Sequence, residues 1–535
     1  MAEIIKLLYT IITAVSVALS SFLFPVKLEP SLGSTPEFLE YPDGYAITLE
    51  QAGLTVEGIT SRLDASLAEY EQSKGYSDIN GVFISPFYTA KVNGKDIPVY
   101  ASLVFNRSKD SGDIHSFSEV YVNENEDFSF NIELTGTGSK LRNAIVLPSK
   151  YGVKTLCKNG KVSASINKTG IYTFLFNGAG QNYGYTLFVR DKTDDEERIS
   201  RLVSEYGEEN VKVFEKGIHE LDYLNFVEKN NTVIYLKRGA CLVAKHSFDI
   251  KSAEDELKFT DDGAWNDNNV GLTRYPFMNF FRCKNVIIEG NGVVDLVHLD
   301  RRERRGVVFC SCEGVTVKGI KIVNSPEWSF ITYCSNDVSV LDTDIFGCRG
   351  NADGFAICNT HNAVIKNCFA RTADDGFEVK ALGGTQGSDN ITFSECIAWG
   401  GYARCFGICG EVDNPITNVF FRNCAVIYRD GVWDNDRIGS LVVVAENCGG
   451  SINNVVFENI EVFRDEGRAI LVKIYDAEKE GFEIKNVVFR NIRYTSYMLS
   501  KVEGNGKNNT VDVTFENVTS NGINANLFRR FIFGW

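Results

Sequence analysis

Three aspartates between residues 351 and 377 are the side chains best suited to chemistry in this chain. The tripeptide Asp-Gly-Phe begins at Asp353 and again at Asp375, and Asp374 directly precedes the second copy. Clustered carboxylates suit glycoside hydrolysis, because like-charge crowding keeps one carboxyl protonated while another activates water. They also suit Ca²⁺, which takes several carboxylate oxygens as ligands. A purely structural alternative is that each aspartate caps a turn.

The element that positions these aspartates is a repeat that runs from about residue 280 to the C-terminus. Each copy reads Asn, Asp or Gly, an apolar residue, any residue, then Val, Ile or Phe, and no helical pattern fills the gaps. Strands of this period bury their apolar sides by stacking on one another, which predicts a right-handed parallel β-helix. The fourth positions of the nine copies are Ile288, Val317, Val340, Ile365, Phe393, Phe421, Phe457, Phe489 and Phe515. A column of buried thiols is expected at Cys368, Cys396 and Cys424, three residues after this position in three successive copies.

Stacked coils would bring the aspartates together. Asp353 and Asp375 each precede an inward-facing phenylalanine by two residues, and Arg404 precedes Phe406 in the same way. Adjacent parallel strands lie about 4.8 Å apart, so these three residues should be nearest neighbours. A regular strand would turn either Asp374 or Asp375 into the apolar core, so the pair is predicted to lie at a bend.

The chain divides into three predicted regions: a hydrophobic segment over residues 1–24, a β-sandwich over 25–200 and the β-helix over 201–535. The fold class is therefore all-β, with an N-terminal β-sandwich followed by the β-helix. Residues 7–24 carry no charge, which is typical of a secretory signal or a short membrane anchor. A secreted or cell-surface protein without a transmembrane domain after processing is expected. If the segment is instead a buried strand, the protein is cytoplasmic.

The composition of the chain limits the classes of binding partner and cofactor that are expected. The chain has 55 Lys and Arg against 70 Asp and Glu, a net charge of -15, which argues against nucleic acid and anionic membranes. Its 14 cysteines show neither the spacing of a disulfide scaffold nor that of a metal site. Neither a metal nor a cofactor is predicted, and the oligomeric state is left open.

Four motifs of the β-helix resemble the polygalacturonases, glycoside hydrolase family 28: EGNGVVD from Glu289, NSPEWSF from Asn324, NADG from Asn351 and ADDGFEVK from Ala373. The order of sandwich and β-helix, and NTVIYLKRGACLVAK from Asn231, are similar to the dextranase/isopullulanase family, family 49. The resemblance implies an inverting glycoside hydrolase in which Asp374 is the general acid and Asp353 and Asp375 hold the water. In the predicted register Arg404 would keep Asp375 ionised, whereas Asp374, crowded by two anions, would keep its proton.

This sequence differs from the family 28 pattern at the residues that bind the substrate carboxylate in that family. Arg404 lies where that family has histidine, and the next coil, IGSLVVVAEN from Ile438, lacks the Arg-x-Lys pair; RAILVK from Arg468 comes a coil too late. An uncharged glycan such as an α-glucan is therefore the expected substrate. The alternatives are a galacturonan (pectin) hydrolase, a calcium-dependent polysaccharide lyase with Arg404 as base, and a solenoid that binds glycans without cleaving them.

Five residues are candidates for substrate binding: Arg404, Lys380, Glu378, Trp433 and Asp434. Glu378 and Lys380 share the outward parity beside the aspartates and either bind sugar hydroxyls or pair with one another. Trp433 and Asp434 belong to a long coil that forms either a sugar-stacking wall or an ordinary exposed loop. Trp265 and Trp328 are weaker candidates of the same kind, and Trp328 is expected in the core.

Overall fold

The structure is a computed structural model, and it describes a defined set of residues. These are residues 27–59, 76, 79–106, 111–177, 184–245, 276–301, 303–383, 386–400, 403–429, 434, 436–475, 480–506 and 508–524. The hydrophobic segment 1–24, Trp265 and Trp433 lie outside them. No helix among the described residues is both long and apolar enough to span a membrane.

The N-terminal part is a sandwich of two sheets, as predicted. The larger sheet contains β1 (Glu37–Phe38), β2 (Val82–Ile84), β5 (Tyr100–Asn106), β6 (Ser111–Val122), β8 (Ala144–Leu147), β11 (Gly170–Phe176) and β12 (Gly184–Asp191). The smaller sheet contains β3 (Tyr88–Val92), β4 (Lys95–Ile97), β7 (Phe130–Gly136), β9 (Thr155–Lys158) and β10 (Lys161–Ile166). Alternating residues such as Ile132, Leu134, Val162 and Ala164 are buried in the core between the sheets.

An α-helix, α1 (Asp195–Tyr206), connects the sandwich to the β-helix, and residues 56–59 of the N-terminal part are also α-helical. The charged run at residues 191–200 supplies its start: Asp194 is the N-cap, and its side chain accepts a hydrogen bond from the Glu197 amide at 3.0 Å. Two short 3-10 helices cover Ser149–Tyr151 and Glu208–Asn210. The predicted boundary at residues 200 and 201 falls inside α1, between the last sandwich strand and the first coil.

The β-helix is made of coils whose strands stack into three parallel columns. The first column contains β13 (Val211–Phe214), β16 (Val233–Leu236), β19 (Lys284–Gly290), β22 (Glu313–Lys318), β25 (Asn336–Leu341), β28 (His361–Lys366), β31 (Ser388–Ser394) and β34 (Ile416–Arg422). The second contains β14 (Gly217–Leu221), β17 (Ala240–Ala244), β20 (Val293–Asp295), β23 (Lys321–Val323), β26 (Asp344–Phe346), β29 (Phe369–Thr372), β32 (Ile397–Gly400) and β35 (Ala425–Arg429).

Longer strands continue these two columns to the end of the β-helix, and the third column carries the predicted site. The long strands are β37 (Ile452–Arg468), β39 (Glu483–Met498) and β41 (Thr510–Ser520), closed by the short antiparallel β42 (Ile523–Asn524). The third column contains β15 (Leu224–Val227), β18 (Pro276–Phe281), β21 (Arg305–Cys310), β24 (Phe330–Tyr333), β27 (Phe355–Cys358), β30 (Phe377–Ala381), β33 (Phe406–Val412), β36 (Leu441–Glu446), β38 (Ile470–Ile474) and β40 (Lys501–Glu503).

The register predicted from the repeat is confirmed at every coil. All nine fourth positions from Ile288 to Phe515 pair in sequence along the first column. The rings of Phe393, Phe421 and Phe457 stack at centroid distances of 4.9 and 4.8 Å, so the column forms a continuous aromatic core. The predicted column of buried thiols at Cys368, Cys396 and Cys424 is also present.

Asparagines hold the turns that precede the first column. Asn362, Asn390 and Asn418 have φ between 55° and 57°, a left-handed conformation that asparagine tolerates better than most residues. Their side chains form a ladder from coil to coil, and the Asn390 amide donates to Asn362 Oδ1 at 2.9 Å. The ladder explains why the first residue of the repeat is so often asparagine.

Buried charges join the sandwich to the β-helix. Lys321 Nζ of the β-helix lies 2.6 Å from Glu119 Oε2 of the sandwich and 2.7 Å from Asp344 Oδ2. Arg190 of the sandwich reaches Asp344 Oδ1 at 2.8 Å. Removing one partner would leave a buried charge unpaired, so this network ties the two parts together.

Candidate active site

The predicted site residues lie on three consecutive coils of the third column. Phe355 of β27 pairs with Phe377 of β30, which pairs with Phe406 of β33, and the rings stack at 5.0 and 4.9 Å. Asp353, Asp375 and Arg404 precede these phenylalanines by two residues each. They therefore occupy equivalent positions on adjacent coils, as the register predicted.

Glycines let the three coils approach one another at this level. A Cβ on Gly354 would lie 2.3 Å from the Gly376 oxygen, and a Cβ on Gly376 would lie 2.9 Å from the Cys405 oxygen. Because glycine has no Cβ, the coils come close enough for backbone hydrogen bonds. The Gly354 amide donates to the Asp375 carbonyl oxygen at 2.7 Å. The Asp-Gly pairs are thus needed for close stacking of the coils as well as for their carboxylates.

Asp374 and Asp375 lie at a bend between β29 and β30, as expected for two adjacent carboxylates that both avoid the core. The Thr372 hydroxyl donates to the Asp374 carbonyl oxygen at 3.0 Å, and the Asp375 amide donates to Asp374 Oδ1 at 3.1 Å. These bonds fix the bend. Asp374 is the half-buried member of the three aspartates, whereas Asp353 and Asp375 are 3% and 2% exposed.

The three carboxylates are crowded. One oxygen from each of Asp353, Asp374 and Asp375 lies within 4.8 Å of the others. Burial, followed by the nearby charge of Asp375, raises the pKa of Asp374 to about 6, although Arg404 opposes the shift. Burial and the charge of Asp374 also raise the pKa of Asp353. Asp353 Oδ1 is buried and accepts no hydrogen bond from the described residues, which makes it a candidate to bind a water molecule.

Arg404 binds Asp375 from two sides. Its backbone amide donates to Asp375 Oδ1 at 2.9 Å, and its Nη1 donates to Oδ2 at 2.9 Å. The remaining nitrogens are engaged too, because Nε donates to the Arg437 carbonyl oxygen at 2.8 Å and Nη2 to Glu446 Oε1 at 3.3 Å. The guanidinium therefore contacts protein groups on every side, and its clearest effect is to hold Asp375.

The side chains of Lys380 and Glu378 are buried and in contact with one another. Lys380 Nζ lies 3.1 Å from Glu378 Oε2 and 3.4 Å from Glu411 Oε2. The same nitrogen lies 4.4 Å from the centre of the Trp328 ring, and Arg305 flanks that ring at 4.8 Å. Trp328 is 6% exposed, in line with the predicted core position. Of the two alternatives for Glu378 and Lys380, the structure shows the pairing.

The structure also places residues around the site that the sequence did not single out. Asp434 pairs with Arg437 at 3.3 Å, while Glu446 contacts both Arg437 and Arg404. Glu446 pairs in register with Glu411 on the preceding coil. The register one coil beyond Arg404 leads to Gly439, because Phe406 pairs with Leu441, so the repeat alone did not identify Glu446.

The aspartates offer a poor calcium site. Ca²⁺ needs six to eight oxygen ligands, and both Asp375 oxygens already accept hydrogen bonds from Arg404. A bound divalent cation would also lie close to the guanidinium. The geometry is better suited to an acid and a base that handle a proton and a water.

Comparison with known proteins agrees with the motifs. The model of Glycosyl hydrolases family 28 matches residues 285–527, slightly less than half of the chain. A probable exopolygalacturonase B from Aspergillus flavus is 24% identical over 307 residues, which cover 49% of this chain and 68% of that protein. A polygalacturonase from Juniperus ashei is 24% identical over 301 residues, 51% of this chain and 55% of that protein.

Among solved structures, Dex49A from Penicillium minioluteum, a family 49 dextranase, is similar with a TM-score of 0.54 and 12% identity. The likeness covers 83% of this chain and 90% of that one, and it supports the fold. Fold, motifs and matches together define the class: this chain is a glycoside hydrolase that acts on O-glycosyl bonds, built on a right-handed parallel β-helix. It shares site motifs with family 28 and resembles a family 49 enzyme in overall fold, as the sequence predicted.

Proposed function

We propose that this enzyme hydrolyses an uncharged polysaccharide or oligosaccharide, of the α-glucan kind, with inversion at the anomeric carbon. The observation that carries the proposal is the set of three carboxylates on adjacent turns, in which the half-buried Asp374 has a raised pKa and the buried Asp375 is held by Arg404. One group that keeps its proton beside another that accepts one is the pairing that acid and base catalysis requires.

The proposed reaction uses one proton from the enzyme and returns one to it. Asp374 donates its proton to the glycosidic oxygen as the bond from that oxygen to the anomeric carbon breaks. A water held by Asp353 and Asp375 attacks the anomeric carbon from the opposite face and gives up a proton to one of them. The products are two sugars, one with a new hydroxyl at the anomeric carbon, and proton exchange with solvent restores Asp374.

The carboxylate spacing makes the stereochemistry an experimental question. Inverting enzymes with two carboxylates separate them by about 6.5–9.5 Å, and retaining enzymes by about 5–5.5 Å. Here oxygens of the three aspartates lie within 4.8 Å of one another. Inversion is proposed from the resemblance to family 28. A retained anomer in the first product, observed by NMR, would instead make Asp353 or Asp375 a nucleophile.

The charges around the site favour an uncharged sugar. Binding a uronate carboxylate calls for a cation without a protein counter-ion, preferably an arginine. Five of the cations beside the aspartates or on the coils that follow have a carboxylate partner within 4 Å: Arg404 contacts Asp375, Lys380 contacts Glu378, Arg437 contacts Asp434, and Lys473 and Lys501 contact Asp436. Arg468, on a coil beyond Arg404, instead donates a hydrogen bond to the Leu499 carbonyl oxygen.

A galacturonan hydrolase is the second candidate, favoured by the names of the matching Aspergillus flavus and Juniperus ashei proteins. Reducing-sugar release from a panel of α-glucans, galacturonans and other plant glycans separates the two. Release from a neutral glycan that is lost in Asp374→Asn supports the proposal, while release from galacturonan alone replaces it with the second candidate. Ultraviolet absorbance from an unsaturated product would indicate a lyase, and binding without release a non-catalytic protein.

The proposal extends to the layout of the chain. We infer that residues 1–24 direct export, which suits an enzyme whose polymeric substrate lies outside the cell, and that residues 25–200 and 201–535 are the sandwich and catalytic regions. Expression with and without residues 1–24, followed by fractionation of cells and medium, tests the first point. Equal amounts in the medium from both forms would contradict it.

A further inference from the structure

Glu378 is a buried acid whose surroundings do not suit an ionised carboxylate. It lies on β30, three residues after Asp375, with a fully buried side chain. Its Oε1 accepts no hydrogen bond from the described residues, and the cation beside Oε2 is Lys380, 3.1 Å away. A fully buried carboxylate with one unsatisfied oxygen and one shared lysine is costly, and protonation reduces that cost.

The balance of charges also calls for a proton. Three cations serve this part of the site, and five carboxylates contact them. Glu378 and Glu411 contact Lys380, Asp375 and Glu446 contact Arg404, and Glu446 and Asp434 contact Arg437. The side chains of Glu411 and Glu446 are 28% and 22% exposed, so water helps to solvate their charges. Asp375 accepts two hydrogen bonds from Arg404. Glu378 has no exposed surface and shares Lys380 with Glu411, so a proton reduces the cost of burial most at Glu378.

Asp375 is the nearby carboxylate to which a protonated Glu378 would donate a hydrogen bond. Oxygens of Glu378 and Asp375 and the Cys409 sulfur all lie within 4.8 Å of one another. Burial first, and the charge of Asp375 next among the raising causes, lift the pKa of Glu378 to about 8, although Lys380 acts in the opposite direction. Near neutral pH Glu378 is therefore neutral.

We propose that Glu378 is a positioning residue whose protonated carboxyl donates a hydrogen bond to Asp375, so that Asp375 is held between Arg404 and Glu378. This inference rests on the proposed function, in which Asp375 helps to hold the attacking water. Arg404 fixes Asp375 from the following coil, and Glu378 fixes it from its own strand. Together, Arg404 and Glu378 would prevent the Asp375 carboxylate from rotating away from the water. A misplaced catalytic group lowers the reaction rate.

The assignment changes the role expected for Glu378 from the sequence. A sugar hydroxyl cannot reach a side chain with no exposed surface, whereas Asp375 can be reached from Glu378 without any movement of the strand. Family 28 patterns leave this position variable, so nothing in the motif itself indicated a carboxyl that acts through its neighbour.

The first test compares two substitutions. Glu378→Gln keeps a donor for Asp375 but cannot ionise, while Glu378→Leu removes the donor. We expect Glu378→Leu to lower kcat by up to about a hundredfold, the scale for a displaced catalytic group, and Glu378→Gln to lower it far less. Equal losses in the two variants would overturn the proposal. Glu289→Gln is the matched control: Glu289 is also a buried glutamate but pairs with Arg198 on another face.

The second test measures the proton itself and needs no substrate. In the infrared difference spectrum of wild type minus Glu378→Gln near neutral pH, we expect the carbonyl band of a protonated carboxyl. The difference for Glu289→Gln should contain only ionised carboxylate bands. If the Glu378 difference also contains only ionised bands, the proposal is wrong whatever the variants do to activity, so folding losses in Glu378→Leu cannot hide the answer.

The third test is the pH profile. The groups that face Glu378 are Asp375, Lys380, Asp353, Cys358, Cys409 and Glu411, and burial raises the pKa of both thiols well above the ordinary range. Glu378 is thus expected to steepen the alkaline limb above about pH 8, and Glu378→Gln should lose only that steepening. A profile identical to wild type would contradict the proposal. The proposed function fails separately, if Asp374→Asn remains active.

Discussion

Arg404 grips Asp375 with both its backbone amide and its guanidinium, at 2.9 Å each. This two-point contact makes the arginine part of the support for a carboxylate. It also separates the two members of the adjacent pair, because Asp375 is fixed and Asp374 remains half-buried at the edge of the site.

Asp374→Asn should abolish most hydrolysis while leaving the fold intact, because the amide cannot donate the proton that the leaving sugar needs. Loss of a general acid lowers kcat by about 10²–10⁴-fold. The assay is reducing-sugar release, with circular dichroism to check the fold. Asp337→Asn is the matched control, since Asp337 belongs to the turn ladder and other coils have asparagine at the same position. Activity retained in Asp374→Asn would remove it as the acid.

Activity should fall as pH rises through about 6, the value to which burial and Asp375 raise the pKa of Asp374. The sign follows from the role: the acid works in its protonated form, which is present below its pKa and lost above it. The pH dependence of kcat on a neutral glycan checks this. A rate that increases through the same range would mean that Asp374 acts as a base.

Arg404→Ala should move the acidic limb of the pH–rate profile toward neutrality, because an ionised Asp375 loses its cation and the Nη1 donor and keeps only the backbone amide of residue 404. Arg404→Lys should move the limb less, since a lysine retains the charge but not the planar fork. KM is measured in the same experiment. An unchanged acidic limb with a raised KM would indicate that Arg404 acts on the substrate instead.

Phe421→Ala should destabilise the β-helix by about 3–5 kcal/mol, the usual cost of emptying a phenylalanine site in a core. Phe421 is fully buried between Phe393 and Phe457, at ring distances of 4.9 and 4.8 Å. Urea unfolding monitored by circular dichroism gives the shift in midpoint. The neighbouring Phe420 is half-buried beneath Arg422 on the outer face, so Phe420→Ala should cost much less; equal shifts would contradict the inward register.

The register of the coils could be read from the sequence, because side chains alternate in and out along a strand and the repeat restarts that alternation in each coil. The same logic placed Asp353, Asp375 and Arg404 together before any coordinates. Contacts that depend on side-chain reach could not be predicted in this way. The pairing of Arg404 with Glu446 crosses from one coil to the end of the next, and the burial of Glu378 depends on side chains around it that no spacing rule encodes.

The exact boundary between the sandwich and the β-helix was difficult to predict from the sequence for a different reason. The charged run at residues 191–200 suits a linker and a helix start equally well, because both expose their side chains to water. The N-cap at Asp194 favours the helix, and tertiary contacts such as the Tyr235 hydroxyl to Asp195 Oδ1 at 2.7 Å hold it against the first coils. Those contacts involve residues forty positions apart, beyond the reach of a local pattern.

The confinement of the three aspartates and Arg404 to three consecutive coils has a consequence for how such a protein can diversify. Each coil contacts mainly the coil before and the coil after it, so gain or loss of a coil beyond β36 would change the length of the surface available to a polymer without moving a catalytic atom. The same event between Asp353 and Arg404 would abolish the site outright. Evolution can therefore change the length of polysaccharide that the enzyme binds without changing its catalytic residues.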